Sequence, residues 1–336
     1  IDPARLELAK KTNGEGIQTF TDASELIHSG VCQAVIIAVP HYLHPSMAIE
    51  AMETGLHVIV EKPAGVYTKQ VEEMNAVAAK HPELVYCMDF NQRTNPLYKK
   101  VKDLIDSGDL GEMTRVIWIV TDWYRSQSYY DQGGWRATWD GEGGGVLLNQ
   151  NPHNLDLWQW MCGIPKRVKS QVYYGKHRNI EVEDDLYALV EYENGATGCY
   201  ITTVGDAPGT NRLEIDGTNG KIVVENNELT FYRLRIPEPE FNATYKGGLG
   251  KPEVWECKIP IKGTYTSHPG IINNFCDCIL KGAKPIAPGA EGIRGLQISN
   301  AIHLSSWLNG EWVDIPVNGD LFIEKLQEHC KEPVTK

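Results

Sequence analysis

The feature that most constrains this chain is the alternation in its first hundred residues, where short apolar runs are separated by single helix-like segments. Asp2 and Pro3 suit a helix start that continues over 4–11. Next come an expected strand over 17–20, a helix over 23–28, a strand over 34–39, a helix over 45–54 and a strand over 57–61. A helix over 69–80 and a strand over 84–89 complete the series. Strands joined through single helices run parallel, and runs that are apolar throughout belong in a sheet covered on both faces. The expectation is a Rossmann-like doubly wound α/β domain whose ligands bind beyond the carboxyl ends of the strands.

After a helix over 96–107 and the turn from Gly108 to Gly111, the pattern changes. Alternating β-rich stretches follow at 115–120, 167–174, 186–192, 197–203, 212–215 and 221–224, with Asn194-Gly195, Asp216-Gly217 and Asn219-Gly220 as turn signals. Helices are expected after Gly143-Gly144-Gly145, after His268 and after Glu291. This predicts an α+β domain with a large open, mainly antiparallel sheet, and the chain divides into residues 1–110 and 111–336. The 32 Lys and Arg against 44 Asp and Glu leave a net charge of −12, which disfavours nucleic acid and anionic lipid as partners. The apolar runs are too short to span a bilayer, and the eight cysteines contain no Cys-x-x-Cys, so reduced thiols and a cytoplasmic setting are expected.

Residues just after the strands carry the chemistry. His41 and His44 follow the strand ending at Val39 and Pro40, where helix-start amides can face a ribose or phosphate, or simply make a strand-to-helix turn. Glu61-Lys62-Pro63 sets an ammonium group at the ligand edge, unless Lys62 is a solvated surface lysine. In the stretch from Gly143 to Asp156, a helix already running through Leu148 places Asn149, His153 and Asp156 on one face. A helix beginning at Pro152, capped by Asn151, leaves Asn149 on the approach. Either way His153 can exchange a hydroxyl proton, or pack as a core histidine. Glu142, His153 and Asp156 lie close in sequence but lack ligand spacing, and no metal is expected.

Taken in order, these motifs resemble the glucose-fructose oxidoreductase and inositol dehydrogenase family, Gfo/Idh/MocA. Residues 38–44, Ala51-x-x-x-Gly55-x-His57-Val58 and Glu61-Lys62-Pro63 look like its cofactor domain. Residues 91–96 with Gly108-Asp109-Leu110-Gly111 are similar to its domain junction, 143–156 to its glycine-rich active-site motif, and Asn274-Phe275 onward to its closing helices. The resemblance covers nearly the whole chain.

It implies NAD or NADP as cofactor, with Val39, Pro40, His41, His44, Glu61, Lys62, Pro63, Asn91 and Arg93 along it and Trp135-Arg136 approaching from the second domain. Lys62 would meet the nicotinamide ribose and the substrate hydroxyl, and His153 would be the acid/base. Tyr129 and Tyr130 would close the substrate pocket or pack in the core. Two departures stand out. The Gly-x-Gly-x-x-Gly fingerprint is absent, and the expectation is that a βα unit and a following strand precede residue 1. Four residues before His153, where the family's dehydrogenases commonly carry Asp, stands Asn149, which can orient a hydroxyl but cannot take its proton.

The function expected is hydride transfer between the nicotinamide and a secondary hydroxyl or ketone of a sugar, glycoside or cyclitol. Trp123, Tyr124, Trp135 and Trp139 would offer faces for a larger carbohydrate. The alternatives are glycoside cleavage by oxidation, elimination and reduction on a retained NAD, or a non-catalytic ligand sensor. A homodimer or homotetramer through the second sheet is the expected assembly.

Overall fold

The computed structural model describes residues 2–14 and 16–331. Two helices lead, α1 (Pro3–Asn13), capped by the Asp2 carboxylate, and α2 (Ala23–His28), capped by Asp22. The apolar runs then become β1 (Ala34–Ile37), β2 (His57–Val60) and β3 (Tyr86–Met88), a parallel sheet in that order with Ala34 opposite His57 and Val58 opposite Tyr86. β2 is central, and Val58, Ile59 and Val60 are fully buried, which is why its sequence does not alternate. Between the strands run α3 (Leu43–Glu53) and α4 (Thr68–Ala78), and α5 (Pro96–Asp106) follows, capped by Asn95 with Pro96 in its first turn.

The strand expected at 17–20 does not form. A strand exists only through its ladder, and among the described residues 17–20 pairs with no other strand, β1 being bonded to β2 alone.

The second sheet has nine strands: β4 (Met113–Val120), β5 (Arg167–Tyr174), β6 (Glu183–Glu191), β7 (Thr197–Thr203), β8 (Asn211–Gly217), β9 (Gly220–Glu225), β10 (Glu228–Leu234), β11 (Val254–Lys258) and β12 (Val313–Asp314). Their order is β11-β10-β9-β8-β4-β7-β6-β5-β12, antiparallel throughout except for the parallel pair β4 and β7. The sequence reading did not include β10, β11 or β12. The β9-to-β10 hairpin turns on Asn226 and Asn227, both left-handed at φ +52° and +59°, a turn signal without glycine.

Helices α6 (Gln127–Asp131), α7 (Pro152–Cys162), α8 (Glu238–Thr244), α9 (Ser267–Lys281), α10 (Gly292–Trp307) and α11 (Gly319–Gln327) complete the chain. α10, buried from Leu296 to Ser305, ties the two sheets together. Its Asn300 accepts from Thr68 N–H at 3.1 Å and donates to Val66 carbonyl at 3.0 Å, while Ser305 accepts from Ser170 N–H of β5 at 2.9 Å. On the sheet's other face Tyr187 and Leu189 are each 48% exposed between buried Leu186, Ala188 and Val190. Residues 332–336, included in the expected second domain, lie outside the described residues.

Candidate active site

The site grows from the carboxyl ends of β2 and β3 and from the loop that leads into α7. Gly143 turns this loop at φ +78°, and a Cβ there would lie 2.3 Å from Val66; one at Gly145 would lie 2.1 Å from the Glu183 carbonyl. Only glycine lets the backbone pass so close on both sides. The buried Glu183 carboxylate fastens the loop by accepting Gly145 N–H at 2.7 Å and Leu147 N–H at 2.9 Å. α7 begins at Pro152, so of the two sequence readings the later start holds, with Asn149 on the approach. Asn151 occupies the cap position without a side-chain cap bond and donates to Thr202 Oγ1 instead.

Lys62, directly after β2, donates from Nζ to the Asn149 backbone carbonyl at 2.8 Å. An ammonium has three N–H groups, and this bond uses one. Burial lowers the Lys62 pKa, Glu61 and Glu142 pull it back up, and Arg136 and Arg125 push it down. His153, half-buried in the first turn of α7, packs edge-on to Phe90 with ring centroids 6.5 Å apart, and its Nδ1 is buried without a hydrogen-bond partner. Burial, then the charges of Lys62 and His268, hold its pKa down to about 3, so the ring is uncharged at neutral pH. Lys62 and Asn149 are thus in contact, and His153 lies near enough for the Lys62 charge to act on it.

Around them, His41 Nδ1 donates to the Glu142 carbonyl at 3.0 Å and its ring meets the edge of Trp135 at 5.5 Å. His44 is wedged between the Pro63 and Val39 carbonyls, 2.7 Å from each, and fixes the two strand-end segments to one another. Those carbonyls favour its charged form, but burial lowers its pKa overall. Asn91 is buried with Nδ2 donating to His268 Nε2 at 2.7 Å and Oδ1 unpartnered. His268 Nδ1 lies 3.0 Å from buried Asp89 Oδ2 and 4.0 Å from Glu61 Oε1, and burial with the neighbouring Asp89 raises the Glu61 pKa. Arg136 stacks over Trp135 at 4.8 Å and donates to Tyr129 Oη at 3.0 Å. Tyr130 is buried edge-on to Tyr129. Pro40 is exposed and Val39 half-buried at the mouth.

Three sequence expectations are corrected. Arg93, expected along the cofactor, is 1% exposed with its guanidinium committed to Asp156 at 2.8 and 2.6 Å, Glu291 at 2.6 Å and the Ile286 carbonyl at 3.3 Å. Asp156, placed on one face with Asn149 and His153 only by the earlier helix start, is buried in that pair, and the helix starts later. Trp139, expected to offer a sugar face, is buried among Tyr174, His303, Trp307 and His329. Sequence reasoning assigned no role at the site to Glu183, Asp89 and His268, which come from separate elements; Glu142, weighed only for metal spacing, directly precedes the glycine triplet.

At this edge three buried polar atoms, Asn91 Oδ1, Asp89 Oδ1 and His153 Nδ1, lack partners, as suits a cleft that receives the hydroxyl- and amide-bearing half of a nicotinamide dinucleotide and a polyol. Residues 1–88 match the family described as oxidoreductase family, NAD-binding Rossmann fold, and residues 98–223 match the GFO/IDH/MocA C-terminal domain. The chain is 26% identical over 331 residues to levoglucosan dehydrogenase of Pseudarthrobacter phenanthrenivorans, covering 88% of this chain and 83% of that protein. It is 26% identical over 327 residues to a Bacillus subtilis scyllo-inositol 2-dehydrogenase (NAD(+)), covering 94% and 87%. The WlbA dehydrogenase from Bordetella pertussis, solved with NADH and UDP-GlcNAcA, superposes with a TM-score of 0.79 at 25% identity, covering 94% of this chain and 88% of that one.

Proposed function

Because this chain belongs to the Gfo/Idh/MocA family of NAD-binding oxidoreductases, we propose that it interconverts a secondary alcohol and a ketone on a sugar, glycoside or cyclitol, with Lys62 and His153 as its catalytic residues. The observation that carries this reading is a half-buried ammonium from the end of β2 bonded to Asn149 and near enough to the uncharged imidazole of His153, at the start of α7, for its charge to act on that ring. The names of the levoglucosan and scyllo-inositol relatives support the substrate class.

A bound nicotinamide, NAD or NADP, supplies the hydride acceptor in one direction and the donor in the other. Val39 to His41, Glu61 to Pro63, Asn91 and Trp135-Arg136 are the residues that would hold it. As the carbinol carbon gives up its hydride, the hydroxyl proton passes to His153, and the bond pair left on oxygen completes the carbonyl. Lys62, with N–H groups beyond the one on Asn149, stabilises the negative charge that builds on that oxygen. Asn149 orients the hydroxyl, and Tyr129 with Tyr130 borders the substrate.

Eight cysteines without a disulfide support a cytoplasmic setting, and no helix of the described residues is long and apolar enough to cross a membrane. The exposed Tyr187 and Leu189 support a homodimer or homotetramer through the nine-stranded sheet. Leu189→Glu should then reduce the mass measured by light scattering.

The test of the reaction is cofactor reduction across a panel of polyols and glycosides. Lys62→Ala and His153→Ala should each lower kcat by about 10²- to 10⁴-fold. His153→Ala should still quench its fluorescence on NADH binding. Undiminished turnover in both variants overturns the assignment, and a chain that binds sugars yet never reduces the cofactor is a sensor.

A further inference from the structure

Resting on that reading of the site, we propose that Glu142 is a positioning residue which, through Asn149, supplies the negative charge that keeps Lys62 an ammonium group.

The geometry is a chain of three groups. The Glu142 side chain is buried, at 1% exposure; one of its oxygens accepts from the Asn149 amide Nδ2 and the other accepts Ala137 N–H at 2.7 Å. Both partners are N–H donors with no lone pair to offer, so they satisfy a carboxylate and leave a carboxylic acid proton without an acceptor. The backbone carbonyl of the same Asn149 holds Lys62 Nζ at 2.8 Å. Asn149 therefore grips the anion with its side chain and the cation with its main chain. Gly143, at φ +78°, reverses the chain between Glu142 and Asn149 and makes this approach possible.

The charge balance around Lys62 shows why the anion matters. Arg136 and Arg125 face it with like charge, and His41, His44 and His153, whose pKa values burial lowers, stand nearby. Against them are Glu61, which also faces Asp89 and His268, and Glu142. Burial pushes the Glu142 pKa up to about 7, against which Ala137 N–H, the Asn149 amide and Arg136 work, while Glu183 adds to the rise. Glu142 is thus ionised above about pH 7, where its charge opposes the lowering of the Lys62 pKa by burial. Position 149 carries an amide, and the carboxylate of this pocket stands seven residues earlier, across the glycine triplet.

The experiment compares the native protein with Glu142→Gln and with the double variant Glu142→Gln plus Asn149→Asp, which moves the one negative charge to position 149 and keeps a donor facing an acceptor. The Lys62 titration is read by carbon NMR on reductively methylated protein without cofactor or substrate, its resonance assigned by its loss in Lys62→Arg. The alkaline limb of kcat/KM is read in parallel. Glu142→Gln should move both to lower pH by on the order of one unit, and the double variant should move them back. Should Glu142→Gln fail to fold, the double variant alone decides: a native Lys62 titration supports the proposal, and a lowered one overturns it. An unchanged titration in Glu142→Gln also overturns it, while leaving the hydride-transfer reading standing. Undiminished turnover in Lys62→Ala overturns that reading instead, without touching the titration.

Discussion

Two cations leave the small sheet for the neighbourhood of α7, and they meet opposite fates. Arg93, in the short turn after β3, is sealed in with Asp156, both 1% exposed, and four of its five N–H donors are taken by two carboxylates and a carbonyl. Gln159 satisfies Asp156 further at 2.9 Å. Lys62, just after β2, makes no ion pair within 4.0 Å among the described residues and holds one carbonyl. The difference lies in completeness: a buried guanidinium with four of its five N–H donors matched and two carboxylates against it belongs to the framework, whereas an ammonium with one of three donors used, near an imidazole without a hydrogen-bond partner, has donors left over.

The comparison predicts opposite phenotypes for opposite substitutions. Lys62→Met should cost the most in turnover, about 10²- to 10³-fold in kcat, while leaving the urea midpoint unchanged or higher, because a desolvated ammonium disappears. A large drop in the midpoint would place Lys62 in the framework after all. Arg93→Met should do the reverse, losing about 3–5 kcal/mol of stability because Asp156 is left as an uncompensated buried charge. Adding Asp156→Leu should recover much of that loss, and the folded double variant should keep its affinity for NADH. If NADH binding vanishes in a well-folded double variant, Arg93 contacts the cofactor as its sequence position suggested.

The misassignment of Arg93 shows what was legible in the sequence. The small sheet could be read because β2 is apolar throughout and β1, β2 and β3 are spaced by single helices; the place of Lys62 and His153 followed from strand ends and a glycine triplet. Which charge faces solvent and which faces another charge is decided by pairs 63 and 198 residues apart, Arg93 with Asp156 and with Glu291, and no local pattern records them. Whether α7 starts before or at Pro152 was left open by the sequence, and with it whether Asn149 lies in the helix or on the approach. Trp139 failed for a related reason: an aromatic next to a glycine-rich loop looks the same whether it faces a sugar or Tyr174 and His303.

The smallest effect expected concerns a third kind of group, buried and uncharged. His41 is 5% exposed, donates Nδ1–H to the Glu142 carbonyl, and has its pKa lowered to about 3 by burial, then by His44 and Lys62. In the unfolded chain its value returns to 6.5, so between about pH 3 and 6.5 the unfolded chain binds a proton that the native ring refuses. Stability contributed by the neutral ring is therefore present above pH 6.5 and is lost as the pH falls, by about 2 kcal/mol at pH 5. Glu142 works with the opposite sign, since its raised pKa of about 7 favours the fold as pH drops from 7 to 4.5. His41→Gln keeps an N–H donor for the carbonyl and removes the titration, so its loss of stability from pH 7 to pH 5, measured by urea unfolding, should be smaller than the native loss by about 2 kcal/mol. Parallel curves for the two proteins would mean that His41 takes up its proton in the folded state, and the cleft would then resemble the Arg93 pair, with its charges matched, more than the open arrangement around Lys62.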